Sequence, residues 1–171
     1  PIRLQVERTD LTDVLHQAVM LAETKATRGD ISVAVELAPE LPTIEGDAHQ
    51  LCQVFTNLLT NAFEALEGRG SVSITATVGL MDAAFAQEPR APIPTVIIEI
   101  VDNGPGVPAE LTDKIFNPFF TTKPQGSGLG LAIVRKIVDA HDGRIDVSNN
   151  PDAGTRFRIT LPITSASGWF K

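Results

Sequence analysis

The chain has 171 residues, 43% of them hydrophobic and 20% charged, with a formal net charge of −7. That size and balance fit one globular domain with enough apolar material for a core. The negative charge, with no basic run to offset it, argues against a nucleic-acid binder and, more weakly, against docking on anionic lipid.

The start, "PIRLQVERTD", carries neither an initiator methionine nor an apolar signal segment. The chain is therefore expected to be a piece of a longer protein, with any membrane tether outside it, since no apolar run reaches the ~18–20 residues that span a bilayer. Apolar residues recur at helical spacing from Leu11 to Ala22, which predicts a helix over 9–28, capped by Thr9 or Asp10 and stopped at Gly29. "ISVAVEL" alternates and predicts a half-buried strand. The connection "APELPTIEGD" leads to a second helix from about Ala48 to Leu66, with Asp47 as its cap. Single Cys52 within it rules out an internal disulfide and fits a reducing, cytoplasmic setting.

"SVSITATV" and "TVIIEIVD" read as strands joined by residues 79 to 94, a long excursion with three prolines. "PAELTDKIF" predicts a short helix, and "LGLAIVRKIVDAH" a longer one ending at Asp142-Gly143. "RIDVSNN" and "TRFRITLPI" read as a closing hairpin. "TSASGWFK" fits no element, so the domain is expected over 1–163 with a tail over 164–171. Helices and strands mix without strict alternation. The expected fold class is therefore α+β: a two-layer sandwich, one mixed, mostly antiparallel sheet with helices on one face.

Three stretches carry chemistry. In the second helix, Gln50, Gln53, Asn57, Asn61 and Glu64 form a polar stripe beside an apolar arc of Leu51, Val54, Phe55, Leu58, Leu59, Ala62, Ala65 and Leu66. Each asparagine costs a helix interior roughly 0.5–0.7 kcal/mol relative to alanine. They are either an aligned solvent face or a pair of amide oxygens facing a cleft, hard ligands suited to Mg²⁺ that shares its remaining sites with phosphate. "DNGPGV" follows an apolar strand but leads to no partner strand. It is either a turn or a site where Asp102 accepts from the exocyclic amine of adenine while Gly104 and Gly106 admit a flat base. "GSGLGLAIV" opens a helix, and Gly126, Gly128 and Gly130 there are either a flexible joint or an anion site. It is neither a P-loop nor a dinucleotide fingerprint. Between the last two lies "IFNPFFTTKPQ". Phe116 and Phe119 are expected to anchor this loop on the core, while Thr121, Thr122 and Lys123 offer hydroxyls and a cation to phosphates.

In this order and spacing, "QVFTNLLTNAFEAL", "DNGPGV", "IFNPFFTTK", "GSGLGLAIV" and "GTRFRITLP" resemble the N box, first glycine box, F box, second glycine box and final strand of the ATP-binding catalytic domain of bacterial sensor histidine kinases. The Phe-Phe-Thr-Thr-Lys form looks most like the nitrogen-regulation branch. The resemblance covers about Asp10 to Pro162. It implies ATP held between helices and lid, with Asn61 coordinating Mg²⁺, Asn57 supporting it, and Asp102 reading adenine. Thr155 would assist through water. Gly126, Ser127, Gly128, Leu129 and Gly130 would cradle phosphate. Asn57 and Lys123 would serve catalysis.

Related gyrase, mismatch-repair and chaperone ATPases place a glutamate base where Asn57 stands, so poor hydrolysis and phosphoryl transfer to a partner are expected. The implied partners are a dimerising, histidine-bearing hairpin and a response regulator, with the isolated domain a monomer and the longer protein a homodimer. None of His16, His49 and His141 fits the acceptor; each is expected to be a structural or surface residue. Two other readings remain: a nucleotide-binding regulatory module without transfer activity, and a serine kinase of the anti-sigma-factor type.

Overall fold

A computed structural model describes residues 2–26, 29–81, 92–120, 130–149 and 154–164. In chain order these form β1 (Glu7–Thr9), α1 (Leu11–Lys25), β2 (Asp30–Leu37), β3 (Ile44–Gly46), α2 (Ala48–Leu66), β4 (Arg69–Met81), β5 (Ile93–Asp102), α3 (Gly130–Ala140), β6 (Arg144–Asn149) and β7 (Thr155–Pro162). The main sheet has the order β2-β4-β5-β7-β6. Only β2 and β4 run parallel; every other neighbouring pair is antiparallel.

One face of this sheet is buried. Val72, Ile74 and Ala76 on β4, Val96, Ile98 and Ile100 on β5, and Phe157, Ile159 and Leu161 on β7 all point into the core. The alternate residues carry polar chemistry: Glu99 on β5 pairs with Arg156 at 3.2 Å and Arg158 at 3.4 Å on β7. The period of two therefore separates a core face from an outer face. α2 lies over β4 and β5, flanked by α1 and α3. The expected α+β sandwich, mostly antiparallel and helix-covered on one face, is the observed architecture.

Several boundaries differ from expectation. α1 is capped by Asp10, whose side chain accepts from the Thr12 N–H, and it gives way at Ala26. The stretches before α1 and α2 contain β1 and β3, which pair antiparallel as a separate ribbon. Three-residue strands are too short to show a period. β4 and β5 continue their pairing through Leu80↔Pro94 and Met81↔Ile93, past the expected ends. Pro94 is tolerated inside β5 because its carbonyl alone is used, accepting from the Ile163 N–H at 3.0 Å. Residues 82–91 of the predicted excursion, and most of the predicted tail, lie outside the described residues. "PAELTDKIF" holds a single 3-10 turn, Ala109–Leu111, followed by separate turns. The stretch before Asn117-Pro118 is short, and a residue preceding proline disfavours helical backbone.

The junction leading into α2 is tied in three directions by Asp47. Its Oδ1 accepts from the Gln50 N–H at 3.1 Å, and its Oδ2 from the Gln5 N–H at 2.9 Å and from Gln50 Nε2 at 3.2 Å. Its own N–H donates to His141 Nε2 at 3.0 Å, so His141 donates through Nδ1 to the Ile137 carbonyl at 2.8 Å. Burial pushes the Asp47 carboxyl up, but the N–H groups of Gln5 and Gln50 outweigh it and hold the pKa below its ordinary 3.8. A lowered carboxyl pKa contributes stability above the unfolded value and loses it as pH falls through the folded one. Asp47→Ala is expected to lower unfolding free energy by about 2 kcal/mol at pH 7. Asp47→Asn should keep part of the cap while flattening the acid limb of the stability curve. Urea titrations from pH 3 to 7 measure both, and unchanged midpoints would contradict this account.

Candidate functional site

Asp102 is the last residue of β5 and follows Val96, Ile98 and Ile100 on the core-facing row, which brings a carboxylate to the rim of the helical layer at 6% exposure. Its Oδ1 accepts from the Gly104 N–H at 2.9 Å and the Thr155 N–H at 3.3 Å. Its Oδ2 makes no hydrogen bond among the described residues. Burial raises the carboxyl pKa, and the two N–H donors offset that rise only in part. The result is a carboxylate with one oxygen pinned and the other available.

The backbone around it is closely packed. Gly154 has φ +107° and faces the Asp102 carbonyl so tightly that a Cβ there would collide with it. Gly104 packs beside Leu66 and the Ala65 carbonyl of α2. At the other end of the glycine loop, Gly106 has φ +81° and lies against Asn149. Two asparagines that sequence reasoning missed hold this loop: Asn103 Oδ1 accepts from the Ser71 N–H at 2.8 Å, and Asn149 bonds to both backbone groups of Val107.

The amide stripe approaches α3. Asn57 and Asn61 are both half-buried, at the boundary between the apolar arc and solvent. Asn57 Nδ2 donates to the Gly130 carbonyl at a long 3.5 Å. Eight residues on, Ala65 and Leu66 border Gly104. Ala65 is exposed rather than part of the buried arc, because it flanks this loop instead of the core. Thus one helix, α2, touches the start of α3 at its middle and the strand-end carboxylate loop at its C-terminal end, about 12 Å further along.

The F-box segment divides unexpectedly. Phe116 is buried, meets Phe157 edge-on at 6.4 Å, and carries the Arg135 guanidinium 5.5 Å above its ring. Phe119, expected to share that anchoring, is 76% exposed with φ +66°. The turn that donates the Phe120 N–H to the Asn117 carbonyl swings it outward. The expected phosphate contacts Thr121, Thr122, Lys123, Gly126, Ser127, Gly128 and Leu129 lie outside the described residues.

Thr155 is buried, and its backbone N–H holds Asp102 directly. Of the histidines, His16 and His49 are exposed on α1 and at the start of α2, while His141 has both ring nitrogens engaged inside the fold. Among the described residues, no group of three His, Cys, Asp or Glu could hold a metal ion by itself. Neutral amide oxygens, such as those of Asn57 and Asn61, are a ligand type that suits Mg²⁺ sharing its shell with phosphate and water. No helix of the described residues is long and apolar enough to cross a membrane.

Residues 46–165 match the family described as histidine kinase-, DNA gyrase B-, and HSP90-like ATPase. The chain is 42% identical over 130 residues to the sensory histidine kinase/phosphatase NtrB of Rhodobacter capsulatus, covering 73% of this chain and 35% of that protein. Full-length ShkA, solved in complex with AMPPNP, is 30% identical with a TM-score of 0.77, covering 96% of this chain and 32% of that one. Histidine kinase ThkA, solved in complex with the response regulator TrrA, is 31% identical with a TM-score of 0.73, covering 94% and 42%. The chain spans about a third of the length of the curated relatives it matches. With the family model covering most of the chain, the chain belongs to the histidine kinase-, DNA gyrase B-, and HSP90-like ATPases.

Proposed function

We propose that this chain binds Mg-ATP along α2 and donates the γ-phosphoryl group to a histidine on a separate dimerising hairpin, in the cytoplasm, as the first step of signalling to a response regulator. The carrying observation is the Asp102 carboxylate, pinned through Oδ1 and open at Oδ2, next to a glycine loop that packs on α2, the helix whose Asn57 also reaches Gly130. The neighbouring structures with AMPPNP and with a response regulator support the same reading.

Each residue has a distinct task. Asp102 Oδ2 accepts from the exocyclic amine of adenine and would repel the oxygen that guanine presents there. Gly104 and Gly106 leave space for the base, and the Thr155 hydroxyl assists through water. Asn57 and Asn61 direct amide oxygens toward the phosphate end. By the family resemblance, Gly126, Ser127, Gly128, Leu129 and Gly130 would supply N–H groups to the phosphates, and Thr121, Thr122 and Lys123 hydroxyls and a cation. Mg²⁺, when bound, neutralises charge on the phosphate oxygens.

Transfer breaks the bond from the γ-phosphorus to the β–γ bridging oxygen and forms a phosphorus–nitrogen bond to the incoming imidazole. ADP leaves with the electron pair, and the imidazole proton goes to solvent. Catalysis is then mainly positioning and charge stabilisation. Asn57 cannot act as a general base on water near neutral pH, which favours transfer over hydrolysis.

The test mixes the chain with γ-labelled Mg-ATP, with and without a separately made acceptor hairpin. Label should appear on the hairpin histidine and not on the chain. Phosphohistidine on the chain alone, or phosphoserine on a different partner, would replace this reading with another.

A further inference from the structure

The glycine loop 103–107 is fastened at its far end by a side chain outside every box of the family resemblance. Asn149, the last residue of β6, accepts from the Val107 N–H through Oδ1 at 3.0 Å and donates to the Val107 carbonyl through Nδ2 at 2.8 Å. A side-chain amide that bonds both backbone groups of one residue reproduces what a neighbouring strand would do. β6 thereby continues its pairing by one step into a segment that is not a strand.

The position of Asn149 matters for the carboxylate. Its own backbone stands opposite Thr155 in the β6–β7 register. Thr155 and Gly104 supply the two N–H groups that pin Asp102 Oδ1. Asn149 therefore stands behind both arms of that grip, one through the strand register and one through the loop. Gly106, at φ +81°, fits only because it has no side chain to meet the Asn149 amide and the Gly154 carbonyl. Asn103 fastens the near end of the loop through Ser71.

We propose that Asn149 is a positioning residue for base recognition: it fixes the loop that aims the open oxygen of Asp102. This rests on the ATP-binding reading above, but concerns the base end of the site and not the phosphate end. Losing the clamp leaves the fold intact, because Asn149 is exposed and its two side-chain bonds go to a surface loop. The loop then samples orientations in which Asp102 no longer meets the adenine amine.

The experiment measures Mg-ATP and Mg-ITP binding by calorimetry for the wild-type chain, Asn149→Ala and Asn149→Asp, with melting curves alongside. ITP carries an oxygen where ATP carries the amine, so the ATP/ITP affinity ratio isolates base readout from phosphate binding. Asn149→Ala is expected to weaken ATP about ten-fold, leave ITP within about two-fold, and collapse the ratio accordingly. Asn149→Asp keeps the acceptor for the Val107 N–H but places negative charge by its carbonyl, so it should fall between. A wild-type ratio in Asn149→Ala would overturn the proposal, as would an equal fall for both nucleotides, which marks a general structural defect. Failure of the wild-type chain to bind ATP would instead overturn the ATP-binding reading itself.

Discussion

Asp102→Asn is expected to weaken ATP binding by about 10- to 150-fold while leaving the folded chain as stable as before, or more so, at pH 7. Loss of a hydrogen bond to a charged acceptor is worth roughly 1.5–3 kcal/mol, and the new amide can present an N–H donor toward the adenine amine. The stability change has the opposite sign for a definite reason. Burial raises the Asp102 pKa above its ordinary 3.8. A raised carboxyl pKa means that its favourable contribution is complete below the unfolded value and is lost as pH rises through the folded value. Asparagine, neutral and of similar shape, avoids that loss while still accepting from Gly104 and Thr155. The variant's advantage should therefore be absent below about pH 3.8 and grow as pH rises beyond it. Melting curves at pH 3 to 8 and calorimetric ATP titrations at pH 7 measure the two effects. A variant that binds ATP normally removes Asp102 from base recognition.

Asn61→Ala should abolish the magnesium-dependent part of ATP binding, with the helix itself slightly favoured by alanine's higher propensity, by roughly 0.5–0.7 kcal/mol before local contacts are counted. Asn61 sits half-buried one turn beyond Asn57, on the edge of α2 that approaches the start of α3. The decisive measurement is a pair of titrations, one with Mg²⁺ and one with EDTA. Wild type should lose affinity on chelation; the variant should already be at the chelated level. An intact magnesium increment in Asn61→Ala would exclude the residue as a ligand.

Elements whose pattern is long relative to its period were legible in advance. α2 carries over five turns of apolar arc and an Asp cap, so its limits, Ala48 and Leu66, were readable directly. The half-buried setting of Asn57 and Asn61 followed from the same wheel. β1 and β3 were not legible, since three residues cannot display alternation. The outward turn of Phe119 was invisible as well, because an aromatic residue in a loop carries no signal of direction. Asn149 reads from the sequence only as part of a strand of the closing hairpin, and its role exists only because folding brings residue 107 within reach across 42 positions.

The family resemblance implied one shared site; from residue types and spacing alone came the fold class, the sheet strands with a core face, and the amide stripe, strand-end acid and glycine-opened helix as separate features. These are local properties, fixed by periodicity and by what each side chain can donate or accept. The tertiary structure alone decided which Asp102 oxygen is pinned and which is open, that Asn57 reaches Gly130, and that His141 accepts from the Asp47 N–H at the start of α2. Such facts depend on distances between segments remote in the chain, and no local pattern encodes them.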